Sequence, residues 1–395
     1  MVERKPVSKY REFPEEEYKN RCNMARQLMK EDHIDALLLT QKEHVEYFSG
    51  FITGHWTTKG FPPGVLILAQ NDIALIVPEF LRGTALGTSW LDEVVSHKET
   101  HSDPRGFSAL VVETISSMGL LKSRIGVETG PEMYMPLSIP DWECIKKGIT
   151  GEIVPAGSLL WRLRIVKSPL EIEKIERACL IASRAFCELR MKAHRAMTER
   201  EMSILLKTSM IDNGADDYAF INLRSGLERY PMADTLPQDR KLREGDMVIV
   251  DTGANCGGYL SDMCRVGIVG KPTSEQVDVY ALAVEAQKAG IRAVKPGVRA
   301  GDIFKAVDSV LGNKKRECRQ LDMCGHGIGL DIHEPPILSK DEDLILRPGM
   351  IITIEPWVYY EWDTGVFAVE DLVLVTETGN RVLSDVPKDE IWIID

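Results

Sequence analysis

Four carboxylates and two histidines in the second half of the chain have the types and spacing of a metal-assisted active site. Leu242-Arg-Glu-Gly-Asp-Met-Val-Ile-Val-Asp251 and Leu346-Arg-Pro-Gly-Met-Ile-Ile-Thr-Ile-Glu355 share Leu-Arg-x-Gly, an apolar strand-like run and a closing acid, 104 residues apart. Each is followed by a second apolar strand with an acid of its own. These are Asp262 in Tyr259-Leu-Ser-Asp-Met-Cys-Arg-Val and Glu370 in Val366-Phe-Ala-Val-Glu-Asp-Leu-Val-Leu-Val. A carboxylate buried in a sheet costs on the order of several kcal/mol unless it is paired or binds a metal. A solvated strand end would account for any one of the four. Two matched pairs argue instead for a pseudo-twofold site in which Asp251, Asp262, Glu355 and Glu370 face one centre.

The segment Cys324-Gly-His326-Gly-Ile-Gly-Leu-Asp-Ile-His333-Glu-Pro-Pro adds two imidazoles on a glycine-rich turn that runs into a strand-like stretch. Glycine on both sides of His326 lets the backbone approach whatever the imidazole touches. Four carboxylates and one imidazole make a hard, oxygen-rich donor set. It suits Mn²⁺, Fe²⁺, Co²⁺ or Zn²⁺ and is large enough for two ions sharing bridging carboxylates.

The elements that must position these groups are also patterned. The first ~160 residues alternate helix and strand signals, as in an α/β unit. Helical spacing over 17–31 leads to the apolar run Ile34–Leu39, and Val65–Leu68 and Ile73–Val77 flank a turn at Gln70-Asn-Asp. A further strand, Ile125-Gly-Val, ends at Glu128, and no catalytic spacing occurs in this half. Ser168-Pro169-Leu170-Glu171 then reads as a capping box with proline at the first helical position. Behind it Ile172, Ile175, Cys179, Ala182, Phe186 and Leu189 form an apolar stripe. A second box, Thr198-x-x-Glu201, opens a helix that stops at Asn213-Gly214. Helices are expected over 274–294 and 302–311, the latter capped by Asp302. The chain thus divides into domains 1–165 and 166–395.

Composition narrows the function classes. A length of 395 residues, 44% apolar and 27% charged, suits two ordinary globular domains. A net charge of −12 argues against nucleic-acid or membrane-surface partners. No apolar run reaches the roughly 18 residues a membrane span needs, and the N-terminus lacks an apolar signal core. Eight scattered cysteines without a Cys-x-x-Cys read as reduced, buried thiols of a cytoplasmic protein.

Over nearly its whole length the chain resembles the creatinase/aminopeptidase P/prolidase group, the pita-bread metallohydrolases that also include methionine aminopeptidase. The matching features are the paired acids, His326, and the junction Arg162-Leu-Arg-Ile-Val-Lys-Ser-Pro-Leu-Glu171. The resemblance implies an α/β creatinase-like N-terminal domain and an α+β pita-bread catalytic domain with an internal pseudo-twofold duplication. It implies two divalent ions, manganese foremost, with iron, cobalt or zinc as the others. Asp251 would hold one, Asp262 and Glu370 would bridge both, and His326 and Glu355 would hold the second. Creatinase itself lacks this set, so its metal-free chemistry is not the expectation. Glu355 would also shuttle protons, and His333 would hydrogen-bond the substrate carbonyl or the tetrahedral intermediate. The alternative for His333 is a capping role before Glu334-Pro-Pro.

Two departures stand out. Prolyl peptidases of the group carry a histidine where this chain has Met232 or Asp234, and an arginine where it has Ala368. Tyr230, Arg229 and Arg224 are candidate replacements, or else exposed loop residues. The resemblance further implies a homodimer in which the N-terminal half walls the partner's site. His55, Trp56 and Lys59 are its candidates there, a solvated loop being the other role for His55 and Lys59. The leading expectation is a dinuclear hydrolase cleaving a C–N amide bond of a small peptide or amino-acid-like substrate, in the manner of Xaa-Pro peptidases. The altered pocket motivates a second reading, a specialised small-molecule enzyme, amidinohydrolase-like or a metal-dependent lyase. A third, a non-enzymatic binding module, has no need of five metal-holding residues.

Overall fold

The apolar runs near residues 36 and 125 pair in parallel at the centre of a six-stranded sheet. Its order is Val95–His97, Ile73–Pro78, Val65–Ala69, Ala36–Leu39, Ile125–Val127, Ile153–Pro155. The expected hairpin is present: Val65–Ala69 and Ile73–Pro78 are antiparallel, and the turn closes with Ala69 N donating to the Asp72 carbonyl at 2.9 Å. Helices Gly106–Ser117 and Ile139–Gly148 pack Phe107, Val111, Ile115 and Ile145 against Leu38, Val65, Ile67 and Ile125. Helix Glu15–Glu31 starts two residues earlier than its apolar spacing suggests. Pro14 precedes it and Glu15, Glu16 and Glu17 complement the positive end of its dipole.

This computed structural model describes residues 9–57, 62–97, 106–229, 235–312, 318–320, 322–360 and 365–395. The sheet just described belongs to one compact unit, Met1–Leu163; the second is Arg164–Asp395.

The second unit repeats one plan: two helices, then a mainly antiparallel sheet. Ser168 and Glu171 form the reciprocal capping box that opens helix Pro169–Lys192, and Thr198 and Glu201 open Glu199–Asp212 in the same way. These helices share a core with strands Asp217–Ser225, Met247–Cys256, Met263–Val269 and Trp392–Ile394. Helices Ser274–Ala293 and Ala300–Leu311 pack against the second sheet, ordered Glu334–Ser339, Met323–Gly327, Ile351–Ile354, Asp371–Val375, Asn380–Val382. A three-stranded sheet, Cys318–Gln320, Trp357–Tyr360 and Gly365–Ala368, completes the unit.

Three local expectations need correction. Arg299, not Asp302, is the N-cap residue of Ala300–Leu311; Asp302 lies in the first turn, where it pairs with Lys305. His326 lies within strand Met323–Gly327 rather than on a turn, and the turn begins only after it. Cys144 and Cys187 are half-buried rather than buried, while Cys22, Cys179, Cys256, Cys264 and Cys324 are buried. Among the described residues no helix is long and apolar enough to cross a membrane.

Candidate metal centre

The strands Met263–Val269 and Asp371–Val375, from the two larger sheets of the second unit, meet where Glu370 N donates to the Cys264 carbonyl at 3.1 Å. This contact brings the two acid pairs together. Asp251 sits mid-strand, opposite Asn222 on one side and Cys264 on the other. Asp262 immediately precedes strand Met263–Val269, Glu355 follows Ile351–Ile354, and Glu370 precedes Asp371–Val375. Asp262, His326, Glu355 and Glu370 are buried; Asp251 opens partly onto the cavity, with its Oδ1 shielded from solvent. Ligating atoms of Asp262, His326 and Glu370 all lie within 4.8 Å of one another. His326 Nε2 is 3.1 Å from Glu355 Oε1 and 3.8 Å from Asp262 Oδ2.

The glycines around His326 have a structural reason different from the one expected. A Cβ on Gly325 would lie 2.1 Å from the Thr353 carbonyl oxygen, and one on Gly327 would lie 2.3 Å from that of Pro335. The missing side chains let the flanking strands close on the histidine strand, rather than admitting what the imidazole touches. Closure fixes the ring: Nδ1 is 2.9 Å from the Gly327 carbonyl, so Nδ1–H donates there and Nε2 is left facing the carboxylates.

Glu355 is gripped by two side chains that the sequence reading missed. Thr353 Oγ1 donates to its Oε1 at 3.1 Å and Trp357 Nε1 donates to its Oε2 at 2.9 Å. Both lie two residues from Glu355, a spacing that in extended chain returns side chains to one face. Period-two reading outward from each acid would have found them. Trp357 pairs across its sheet with Ala368, the position where the resemblance leads one to expect arginine. The small side chain stands opposite the bulky indole.

The electrostatics are those of an anionic site in need of cations. Burial, reinforced by the charge of Glu355, pushes the Asp251 carboxyl up to about 7. Burial and the neighbouring carboxylates push Asp262 and Glu370 well above the usual carboxylate range. Burial acts the same way on Glu355, but hydrogen bonds from His326, Trp357 and Thr353 outweigh it and hold this acid below its ordinary value. Burial opposes the charged form of His326, yet the Glu355 carboxylate raises its pKa. Asp251 Oδ1, Asp262 Oδ1 and Glu370 Oε1 are buried without a hydrogen-bond partner among the described residues. Buried anionic oxygens are rarely left unsatisfied, and divalent cations would satisfy them. The donor set therefore fits hard or borderline divalent ions.

A cavity of about 630 Å³ opens on this cluster, walled by Phe220, Ile221, Leu236, Trp357 and Tyr359, with Asn222, Lys207 and His333 among its polar groups. The His333 ring stands edge-on to His326 with centroids 4.4 Å apart. Partial desolvation and the adjacent His326 lower its pKa, so it is neutral at pH 7. Arg224 and Arg229 are not exposed loop residues: both are buried. Arg224 Nη1 donates to Asn222 Oδ1 at 2.9 Å, and Arg229 is ion-paired with buried Glu199. His55 and Trp56 lie in the first unit on the short turn Gly54–Thr57, half-buried rather than solvated, packed on Phe80 and Phe51 respectively. Tyr230, Met232, Asp234 and Lys59 lie outside the described residues.

Comparison with known proteins gives two family matches. The model of metallopeptidase family M24 matches residues 173–377, and that of the creatinase/prolidase N-terminal domain matches residues 21–166. An Xaa-Pro dipeptidase of Pyrococcus furiosus is 30% identical over 371 residues, covering 94% of this chain and 99% of the relative. Among solved structures, an Xaa-Pro dipeptidase from Bacillus anthracis superimposes with a TM-score of 0.83 at 28% identity, covering 95% of this chain and all of that one. The prolidase from Pyrococcus horikoshii gives 0.80 at 27% identity, covering 94% and 100%. The two-domain architecture, a creatinase-type N-terminal domain followed by a pita-bread catalytic domain, is shared with these structures.

Proposed function

The chain belongs to metallopeptidase family M24 and is a metal-dependent peptidase, and from that premise we propose that it hydrolyses Xaa-Pro dipeptides at a dinuclear centre. Asp251, Asp262, His326, Glu355 and Glu370 are the residues that would hold the two ions, with Asp262 and Glu370 as the residues they would share. The observation that carries this reading is the buried cluster of Asp262, His326 and Glu370, together with the unpartnered carboxylate oxygens of Asp251, Asp262 and Glu370. Manganese is the metal we assign, on the hard, oxygen-rich donor set. When bound, such ions lower the pKa of water and polarise a carbonyl.

The chain's own residues supply the rest. Glu355, with one oxygen fixed by Trp357 and the other beside His326, would accept a proton from the attacking water and pass it to the leaving nitrogen, and those two contacts support the role. His333, which lines the cavity and whose pKa is lowered by partial burial and His326, would donate a hydrogen bond to the substrate carbonyl. Phe220, Ile221 and Trp357 give the pyrrolidine ring an apolar wall. The same reading makes the protein a cytoplasmic homodimer, with His55, Trp56 and Tyr230 as candidate substrate-side groups. Its oligomeric state is checked by light scattering.

Metal titration by calorimetry tests the centre itself. Two ions should bind per chain, and Asp262→Ala or Glu370→Ala should abolish both the bridged pair and turnover. Full activity in either variant would refute the shared-metal centre.

A further inference from the structure

The junction segment 164–171 carries three ionisable side chains that the peptidase reading leaves unused, and all three point inward: Arg164, Lys167 and Glu171 are at most 4% exposed. Arg164 Nη2 lies 2.6 Å from Glu334 Oε1 and 2.7 Å from Asp331 Oδ2, and Lys167 Nζ lies 3.0 Å from Glu334 Oε2. Glu334 also accepts from the backbone N–H groups of Leu330 and Asp331, at 3.0 and 3.3 Å. It directly follows His333, so this knot of two cations and two carboxylates pins the loop that ends in that histidine.

The other end of the segment reaches the opposite half of the site. Glu171 Oε1 accepts from the Tyr259 hydroxyl at 2.6 Å, while its Oε2 accepts from Ser168 N in the capping box. Tyr259 is buried and stands three residues before Asp262, at the hairpin turn that delivers that acid. Leu260 N donates to the Gly329 carbonyl at 2.9 Å, tying the hairpin to the His333 loop. One eight-residue stretch therefore grips two catalytic loops that are themselves joined. Buried ion clusters are a costly way to gain stability, since apolar side chains of similar volume often do as well or better. Their geometric specificity is what apolar packing lacks.

We propose that residues 164–171 form a positioning brace that holds the His333 loop and the Asp262 hairpin in a single mutual geometry. The proposal rests on the peptidase reading for what those two residues do, but not for whether the brace exists. Tyr259→Phe and the charge-balanced pair Lys167→Met with Glu334→Gln release the two ends separately, and the triple variant releases both.

Each protein is read three ways: Co²⁺ affinity and visible absorption spectrum, hydrogen exchange over 327–334, and kcat and KM for an Xaa-Pro dipeptide. Each release should alter the Co²⁺ spectrum, speed exchange in the loop, and lower kcat by about tenfold with KM nearly constant, as expected for outer-shell groups. The triple variant should lose less than the product of the separate losses, because both ends serve one brace. An unchanged spectrum and exchange in Tyr259→Phe, or activity losses that track only the folded fraction, would overturn the proposal. Tyr259→Phe removes a single hydroxyl and keeps the test decisive should the charge-pair variant fail to fold. If the wild-type protein binds Co²⁺ without cleaving the dipeptide, the substrate reading fails while the spectrum and exchange still decide the brace.

Discussion

Replacing Asp251 with asparagine should stabilise the metal-free protein at neutral pH, although it removes a metal ligand. The Asp251 carboxyl is raised from 3.8 to about 7, chiefly by burial and then by Glu355. Between those values the folded protein keeps a proton that the unfolded chain has lost. The folded state binds more protons, so unfolding free energy falls as pH rises and levels off above about 7. A shift of about three units is worth about 4 kcal/mol at most, because the side chain partly opens onto the cavity. Roughly 2–3 kcal/mol of that falls between pH 5 and 7.5. Asp262 and Glu370, raised in the same direction, deepen the fall. Glu334 is held down at about 2 because Lys167 and Arg164 outweigh its burial, and its stabilisation is lost only below its unfolded value of 4.5, outside the window.

The assay is urea unfolding in chelator at half-unit pH steps, for wild type and Asp251→Asn. The asparagine mimics the protonated acid, so wild type should lose roughly 2–3 kcal/mol relative to the variant across the window. The variant should then be the more stable protein at pH 7.5. Added Mn²⁺ should reverse the order, because only wild type gains fully from binding. Parallel pH curves, or a variant less stable than wild type throughout, would refute the claim that the site is a repulsive anionic cluster awaiting cations.

Other substitutions test single contacts. Trp357→Phe keeps an aromatic ring and removes the 2.9 Å bond to Glu355; kcat should fall by about tenfold or more with KM little changed, measured by steady-state kinetics. Gly325→Ala forces a Cβ against the Thr353 carbonyl and should cost about 1–3 kcal/mol or more and weaken metal binding. Gly379→Ala, whose Cβ would meet nothing, should stay within about 0.5 kcal/mol of wild type in the same denaturation series. His333→Ala should lower kcat while leaving Mn²⁺ affinity, read by calorimetry, within about twofold of wild type, because the ring serves substrate rather than metal.

What the sequence made legible follows from where its signals are local. Capping boxes at Ser168 and Thr198 are complete within four residues, and both close as expected. The echo between the runs ending at Asp251 and Glu355 is long enough to reveal a repeated strand, and the fold repeats a helix pair and a sheet around it. What escaped depends on contacts between distant segments. Nothing near Gly325 says that the Thr353 carbonyl occupies its Cβ space. Arg224 and Arg229 look like loop cations in sequence because Asn222 gives no signal and Glu199 lies thirty residues away. Helix Lys42–Ser49 is only eight residues long, too short for its apolar period to stand out. Trp357 and Thr353 were within reach, since both share the period-two face of Glu355.

The most direct measurement follows proline release from a panel of Xaa-Pro dipeptides by Mn²⁺-loaded protein, by the same protein stripped with chelator, and by the stripped protein reloaded. The predicted result is hydrolysis that disappears on stripping, returns with two ions per chain, and is far weaker on matched Xaa-Ala dipeptides. Two ions bound per chain with no cleavage of any Xaa-Pro dipeptide would contradict the account.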